Sequence, residues 1–195
     1  MLICEEQPAD TPEIEALLDL CFAPGRTALS SYRLREGVAP VAPLCLLLRD
    51  GGAVQAAIRY WPVRVGAFQA LLLGPIAVHP TAQGEGLGGW LIAESLARAR
   101  NLGFERVMLV GDLPYYKRFG FSRLDGVVMP PPTNPERVLG LELRPGAWVD
   151  VAGDVTRDPA PPELPAQAAM PCEDAPLPRS QTDEQADGSD SSSDQ

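Results

Sequence analysis

Apolar and polar positions along the chain follow two different periods, and the switch between them marks its central elements. The run LLLGPIAV at 71–78 is apolar throughout and has the length of a buried strand. Pro80 has no N–H to give to a ladder, so the strand ends near it. From Leu87 the apolar positions become Leu87, Leu91, Ile92, Leu96, Ala99 and Leu102, the spacing of one helix face. Glu94 and Arg98 lie on the other face, four apart with the acid first, which favours a helix. Gly103 stands where the helix should stop. Strand and helix are joined by Gln83-Gly84-Glu85-Gly86-Leu87-Gly88-Gly89.

The same reading extends to the rest of the chain. Residues 2–4 form a short apolar strand, and Asp10 or Thr11 caps a helix with Pro12 in its first turn and Ile14, Leu17, Leu18 and Cys21 as its buried stripe. Pro24-Gly25 breaks that helix; Ser30 or Ser31 caps a second, short one over 32–36, closed by Gly37. Residues 44–48 are a strand, Asp50-Gly51-Gly52 a hairpin turn and 54–65 the returning strand, with Pro62 at a bend or an edge. Gly66-Ala67 turns the chain into the central strand at Phe68, so three antiparallel strands precede the glycine-rich turn. Arg106–Val110 follows the helix and should lie parallel to the central strand, because a crossover helix joins parallel strands. Pro114 opens a short helix over 115–119, ended by Gly120. A strand over 121–124, a proline-rich loop over 127–135 and a last strand over 138–143 complete the pattern.

Composition places these elements in one domain, residues 1–157 of the 195. Residues 158–195 carry seven prolines, nine acidic residues and one arginine, and read as a disordered acidic tail. That tail holds most of the net charge of −10, so the acidity says little about a site. The lack of a basic patch argues against nucleic acid. The four cysteines, Cys4, Cys21, Cys45 and Cys172, show no C-x-x-C spacing and no pairing with the single histidine, so neither a metal site nor a disulfide framework is expected. The first residues lack a signal-peptide pattern, and no stretch reaches the ~20 apolar residues of a membrane span. The expectation is a cytoplasmic protein with reduced thiols and no membrane partner.

The glycine-rich turn carries the chemistry. Four glycines in the six positions 84–89 leave backbone N–H groups uncovered, and a helix N-terminus adds partial positive charge, which together capture an anion such as a pyrophosphate. Gly84, Gly86 and Gly89 satisfy the dinucleotide pattern G-x-G-x-x-G, with Asp112 further along. The context rejects it: in that fold the first glycine follows its strand at once, whereas His79 to Gln83 intervene here. No Gly-Lys-Ser/Thr follows, which excludes a Walker loop.

Gln83-x-x-Gly86-x-Gly88 instead resembles the Gln/Arg-x-x-Gly-x-Gly/Ala signature of the GNAT N-acetyltransferase superfamily. Ile76-Ala77-Val78-His79-Pro80 before it and Tyr115-Tyr116-Lys117-Arg118-Phe119-Gly120-Phe121 after it agree with the family's flanks, from about Leu71 to Phe121. The resemblance implies an α/β (α+β) GNAT fold: a central, mixed, mostly antiparallel sheet flanked by helices, whose two parallel central strands splay apart. Gly74-Pro75 is placed to start that splay.

It also implies transfer of an acetyl group from acetyl-CoA to a primary amine, by direct attack on the thioester and without a metal. A non-catalytic acyl-CoA-binding module, acting as a sensor or partner subunit, is the alternative. Gln83, Gly84, Glu85, Gly86, Leu87, Gly88 and Gly89 would grip the coenzyme's pyrophosphate, Ile76, Ala77 and Val78 would line its channel, and Tyr116 would be the general acid. His79, Glu36, Asp112 or a water relay are the choices for the base; many relatives carry Asn where Asp112 stands. Segments 26–36 and 127–135 would frame the acceptor, a small molecule or a peptide, while Arg33, Arg35 and Glu36 read as ordinary surface charges. Edge strands leave a homodimer open.

Overall fold

The structure, a computed structural model, describes residues 1–160 and 172–174. The strands in chain order are β1 (Leu2–Glu5), β2 (Leu46–Asp50), β3 (Ala53–Val65), β4 (Phe68–Val78), β5 (Arg106–Val110), β6 (Ser122–Arg123), β7 (Val127–Val128), β8 (Val138–Glu142), β9 (Gly153–Arg157) and β10 (Glu173–Asp174). The α-helices are α1 (Thr11–Phe22), α2 (Ser30–Arg33), α3 (Leu87–Asn101) and α4 (Leu113–Tyr116). Across the main sheet the order is β10-β1-β2-β3-β4-β5-β8-β6, with β9 added to β3 and β7 to β9. Only β4–β5 and β7–β9 are parallel among the described pairs. The α/β (α+β) class with a mixed, mostly antiparallel sheet is therefore what the chain adopts.

Strand alternation decides which helix each side chain meets. Leu46 and Leu48 of β2 and Ala56 and Ile58 of β3 lie under Leu87, Leu91, Ile92, Leu96 and Ala99 of α3. Leu47 and Ala57, one residue out of phase, lie on the opposite face under Ile14, Leu17 and Leu18 of α1. Each buried Leu or Ile among them contributes about 1.5–3 kcal/mol, and together they clamp the two helices to the sheet. One polar pair interrupts the apolar layer: the Tyr60 hydroxyl and Ser95 Oγ meet at 2.8 Å, and Ser95 also donates to the Leu91 carbonyl at 2.7 Å. Helix α3 ends as expected at Gly103 (φ +84°): Gly103 N donates to Arg100 O and Phe104 N to Ala99 O, the two bonds of a Schellman cap.

Several boundaries differ from expectation for local reasons. Asp10 does not cap α1 through its side chain; it accepts from Gln7 N at 2.8 Å and pairs with Arg49 at 2.7 Å. The second helix is Ser30–Arg33, earlier than expected, because Ser30 is drawn inward to Thr133 Oγ1 at 2.5 Å. Strand β2 begins at Leu46, since Ala42–Leu44 makes a turn of 3-10 helix first. The Pro62 carbonyl accepts from Asp158 N, just past the register where β9 pairs with β3 from Val63, so its missing N–H falls at the end of that ladder and not inside it. The expected loop over 127–135 opens with β7, which pairs with β9. β9 itself has one buried residue, Val155, and so no apolar pattern to announce it.

Two expectations about the chain's end are corrected within the described residues. Asp158, placed at the start of the tail, is 2% exposed, and its carboxylate takes Gln69 Nε2 at 3.0 Å and Arg64 at 3.5 Å. Cys172 forms a disulfide with Cys4, and β10 pairs with the edge of β1 beside it. Reduced thiols were expected for all four cysteines because a separation of 168 residues gives no hint of proximity. The rest of the expected tail, 161–171 and 175–195, lies outside the described residues.

Candidate active site

The site begins where β4 leaves β5. These strands pair only at Leu71↔Val107 and Leu72↔Met108. Beyond that, β5 keeps its bonds to β8 through Val110, and β4 keeps its bonds to β3 through Val78. Among the described residues, β4 from Leu73 to Val78 therefore has a strand partner on one side only, and alternate backbone groups face an open gap. The cause is a bulge. Ile58 faces Ile76, whereas Tyr60 faces Leu73, so β4 holds one extra residue there. Gly74, at φ +122°, and Pro75 occupy the extra place; an L side chain is strained at that φ, and Pro75 brings no ladder donor.

At the far end of the gap lies the glycine-rich turn. Gly84 (φ +91°) and Gly86 (φ +80°) are left-handed, and Gly86 O accepts the first helical bond, from Trp90 N at 3.0 Å. Among the described residues, no backbone or side-chain acceptor takes the amides of residues 84–89. Gly84, Glu85 and Gly86 are exposed, and Leu87 and Gly88 start α3. Such unclaimed N–H groups at the N-terminus of a fifteen-residue helix suit a diphosphate. The Gln83 side chain turns the other way: its Nε2 donates to Val78 O at 3.2 Å and ties the turn to the end of β4. Gly88 packs so closely that a Cβ there would sit 3.3 Å from Val78 Cγ2 and 3.4 Å from the Tyr115 hydroxyl.

One cation beside the turn was not singled out from the sequence. Arg118 lies 4.1 Å over the Tyr115 ring and 4.8 Å over Phe119, and its Nη2 is 3.6 Å from where a Cβ on Gly89 would be. The signal for it was the aromatic spacing 115/119 around it, which gives the guanidinium two faces to rest on.

Tyr116 lies on the gap's other wall, at the end of α4. Its ring packs edge-on to Tyr115 at 4.9 Å and to Phe121 at 5.8 Å. Burial, reinforced by Tyr115 and Asp112, pushes its phenol up to about 12. Among the described residues its hydroxyl has no hydrogen-bond partner, and it helps to line a cavity of about 290 Å³. Leu73, Gly74, Pro75 and Ile76 form one wall of that cavity and Leu109, Val110 and Gly111 the other, so it is the gap itself. A larger hollow, about 870 Å³, lies at the opposite end of β4 around Phe68 and Gln69, away from the turn.

The three candidate bases separate clearly. His79 Nδ1 is engaged with Thr81 Oγ1 at 2.7 Å and holds the turn after β4. Glu36 is exposed and does not line the cavity. Asp112 does line it, paired with Arg137 at 3.2 Å. Of the charges expected on the surface, Arg33 is exposed and donates to Pro131 O at 2.5 Å. Arg35 departs from that reading: it is largely buried and faces the cavity, because Tyr32 and Trp61 flank its guanidinium at 4.3 and 4.9 Å. No group of three or more potential metal ligands occurs among the described residues. Nor is any described helix long and apolar enough to cross a membrane.

Comparison with known proteins bears on this arrangement. The profile of the Acetyltransferase (GNAT) family matches residues 11–121. The uncharacterised N-acetyltransferase YhbS of Escherichia coli K12 is 34% identical over 124 residues, 63% of this chain and 74% of that one. The crystal structure of E. coli YhbS in complex with CoA superposes with a TM-score of 0.70 at 29% identity, covering 80% of this chain and 89% of that one. A GNAT family acetyltransferase from Brucella melitensis in complex with acetyl-CoA gives 0.62 at 30% identity, covering 80% and 94%. The matched stretch holds α1, the bulged strand β4, the bare-amide turn with α3, and Tyr116, and it extends over more than half of the chain; the protein belongs to the GNAT acetyltransferase family.

Proposed function

We propose that the protein transfers the acetyl group of acetyl-CoA to a primary amine by direct attack on the thioester. One observation carries the reading: the gap between β4 and β5 runs from a turn of amides to the half-buried Tyr116 hydroxyl, both without partners among the described residues. The two similar structures that hold CoA or acetyl-CoA support it. The amides of residues 84–89 would take the diphosphate, with Arg118 adding charge beside Gly89. Ile76, Ala77 and Val78 would border the pantetheine arm, and an unpaired N–H of β4 would meet the thioester oxygen, a contact that strengthens as that oxygen becomes an anion.

In the reaction the neutral amine forms the C–N bond, the C–S bond breaks, and the thiolate needs a proton. Tyr116 supplies it; a phenol held near 12 is fully protonated at neutral pH and regains its proton from solvent. The proton shed by the nitrogen leaves through water to Asp112, the carboxylate that lines the gap. The test is thermal-shift comparison of CoA, acetyl-CoA and NAD, followed by thiol release from acetyl-CoA with a panel of amines. Stabilisation by CoA and amine-dependent thiol release are expected. Stabilisation by NAD alone, or CoA binding without release for any amine, defeats the proposal.

A further inference from the structure

Every charged group that lines the gap has a counter-ion except one. Arg26 is held by Glu15 at 2.6 Å and Asp19 at 2.9 Å, and Asp112 by Arg137 at 3.2 Å. Arg35 has none: no carboxylate or carbonyl of the described residues accepts from it, its Nε and Nη1 are buried without a partner, and the neutral Tyr32 hydroxyl is the polar group that offsets part of its burial. Its position is nevertheless rigid. The guanidinium is clamped between Tyr32 and Trp61. Tyr32 is fixed in turn by Arg26 Nη1, which donates to its hydroxyl at 3.0 Å, and Trp61 by its own Nε1, which donates to Val38 O at 3.2 Å. Arg35 Nη2 reaches to 3.5 Å from where a Cβ on Gly74 would lie, at the bulge where the strands part.

A guanidinium buried without a counter-ion is costly, and a fold retains one where an anion completes it. Burial, partly offset by the Tyr32 hydroxyl and reinforced by the nearby Arg59 and Arg26 cations, lowers Arg35 to about 10, which still leaves it charged at neutral pH. Its planar fork matches a carboxylate. The coenzyme's diphosphate is not the missing partner: the turn that suits it follows Val78, and β4 alone carries the chain roughly 13 Å from Gly74 to that residue. We propose that Arg35 binds a carboxylate carried by the acceptor, so that the substrate is a short amino carboxylate. The amine must reach the acyl carbon where the strands diverge, and Arg35 stands at that point, which leaves room for only a few bonds between amine and anion. The gap measures about 290 Å³ and must also take the acyl end of the coenzyme, so the space it leaves suits a compact acceptor. The inference rests on the acetyltransferase reading and narrows it.

The experiment uses pairs of acid and amide, compared at equal concentration of neutral amine because the amide is the weaker base: glycine and glycinamide, β-alanine and β-alaninamide, phenylalanine and phenylalaninamide. Thiol release and calorimetric binding to the CoA-loaded protein are measured for each pair, on wild type and on Arg35→Met and Arg35→Lys. At least one carboxylate should bind about tenfold or more tightly than its amide, with a correspondingly lower KM. Arg35→Met should bring the ratio within the pair close to one, and Arg35→Lys should restore part of it. Equal binding of acid and amide in every pair overturns the proposal on wild type alone, whether or not the variants fold. A preference for acids that survives in a folded Arg35→Met protein overturns it as well. Release of thiol with neutral amines in either case leaves the acetyltransferase reading standing, whereas failure of CoA to bind removes that reading instead.

Discussion

Gly111 lies flat against the ring of Tyr116: a Cβ built on Gly111 would sit 2.3 Å from Tyr116 Cε2 and 2.8 Å from Cδ2. No side chain fits between the end of β5 and the proposed acid. Gly111→Ala must push the ring toward the gap or displace α4. Overpacking of this kind costs about 1–3 kcal/mol. The expected outcome is a lower melting temperature together with loss of turnover exceeding that of Gly103→Ser, which changes a helix end far from Tyr116.

Tyr116→Phe removes a hydroxyl that has no partner among the described residues, so stability and CoA affinity should change little. Thiol release should fall by about 10²-fold or more, the usual contribution of a placed acid. Wild-type turnover with the variant would return Tyr116 to a packing role.

The same residue makes an alkaline prediction. Its phenol is pushed up to about 12 from an ordinary value near 10, so the folded state holds this proton more tightly than the unfolded state. The stability linked to it is whole below pH ~10 and fades as pH climbs toward 12. Absorbance titration at 295 nm should show two phenols ionising late, Tyr116 and the more deeply buried Tyr60, and Tyr116→Phe should remove one phenolate from that late phase.

Gly86→Ala tests the turn. At φ +80° an L side chain costs about 1–2 kcal/mol, and the substitution also crowds the amides proposed for the diphosphate. CoA at a hundred times its Kd should stabilise the wild type by about 2.7 kcal/mol. Pantetheine, which lacks the diphosphate, should stabilise it far less at equal concentration, and Gly86→Ala should reduce the difference between the two.

Asp112→Asn should lower kcat and leave stability within about 1 kcal/mol, because its pair with Arg137 is exposed. Unchanged kcat across the pH range would return the proton to bulk water.

Thiol titration checks the chain's two ends. Denatured, unreduced protein should expose two thiols, Cys21 and Cys45, and four after reduction. Four without reduction would exclude the Cys4–Cys172 bridge.

What the sequence determined was local. The helical spacing of Leu87, Leu91, Ile92 and Leu96, the hairpin at Asp50-Gly51-Gly52, and the glycines whose positive φ bares a row of amides are all encoded by neighbours in the chain, within one or two turns. The bulge at Gly74-Pro75 was legible for the same reason: these two residues disturb a ladder wherever they lie in one. Tertiary structure decided whatever depends on separation through space. Arg35 reads as a surface charge until Trp61 and Tyr32 close over it, and Asp158 reads as tail until Arg64 and Gln69 meet it. Likewise, Cys172 has no visible partner until β10 lies against β1. Burial and pairing are properties of the folded neighbourhood, and contacts across 26 or 168 residues leave no periodic trace for a sequence to display.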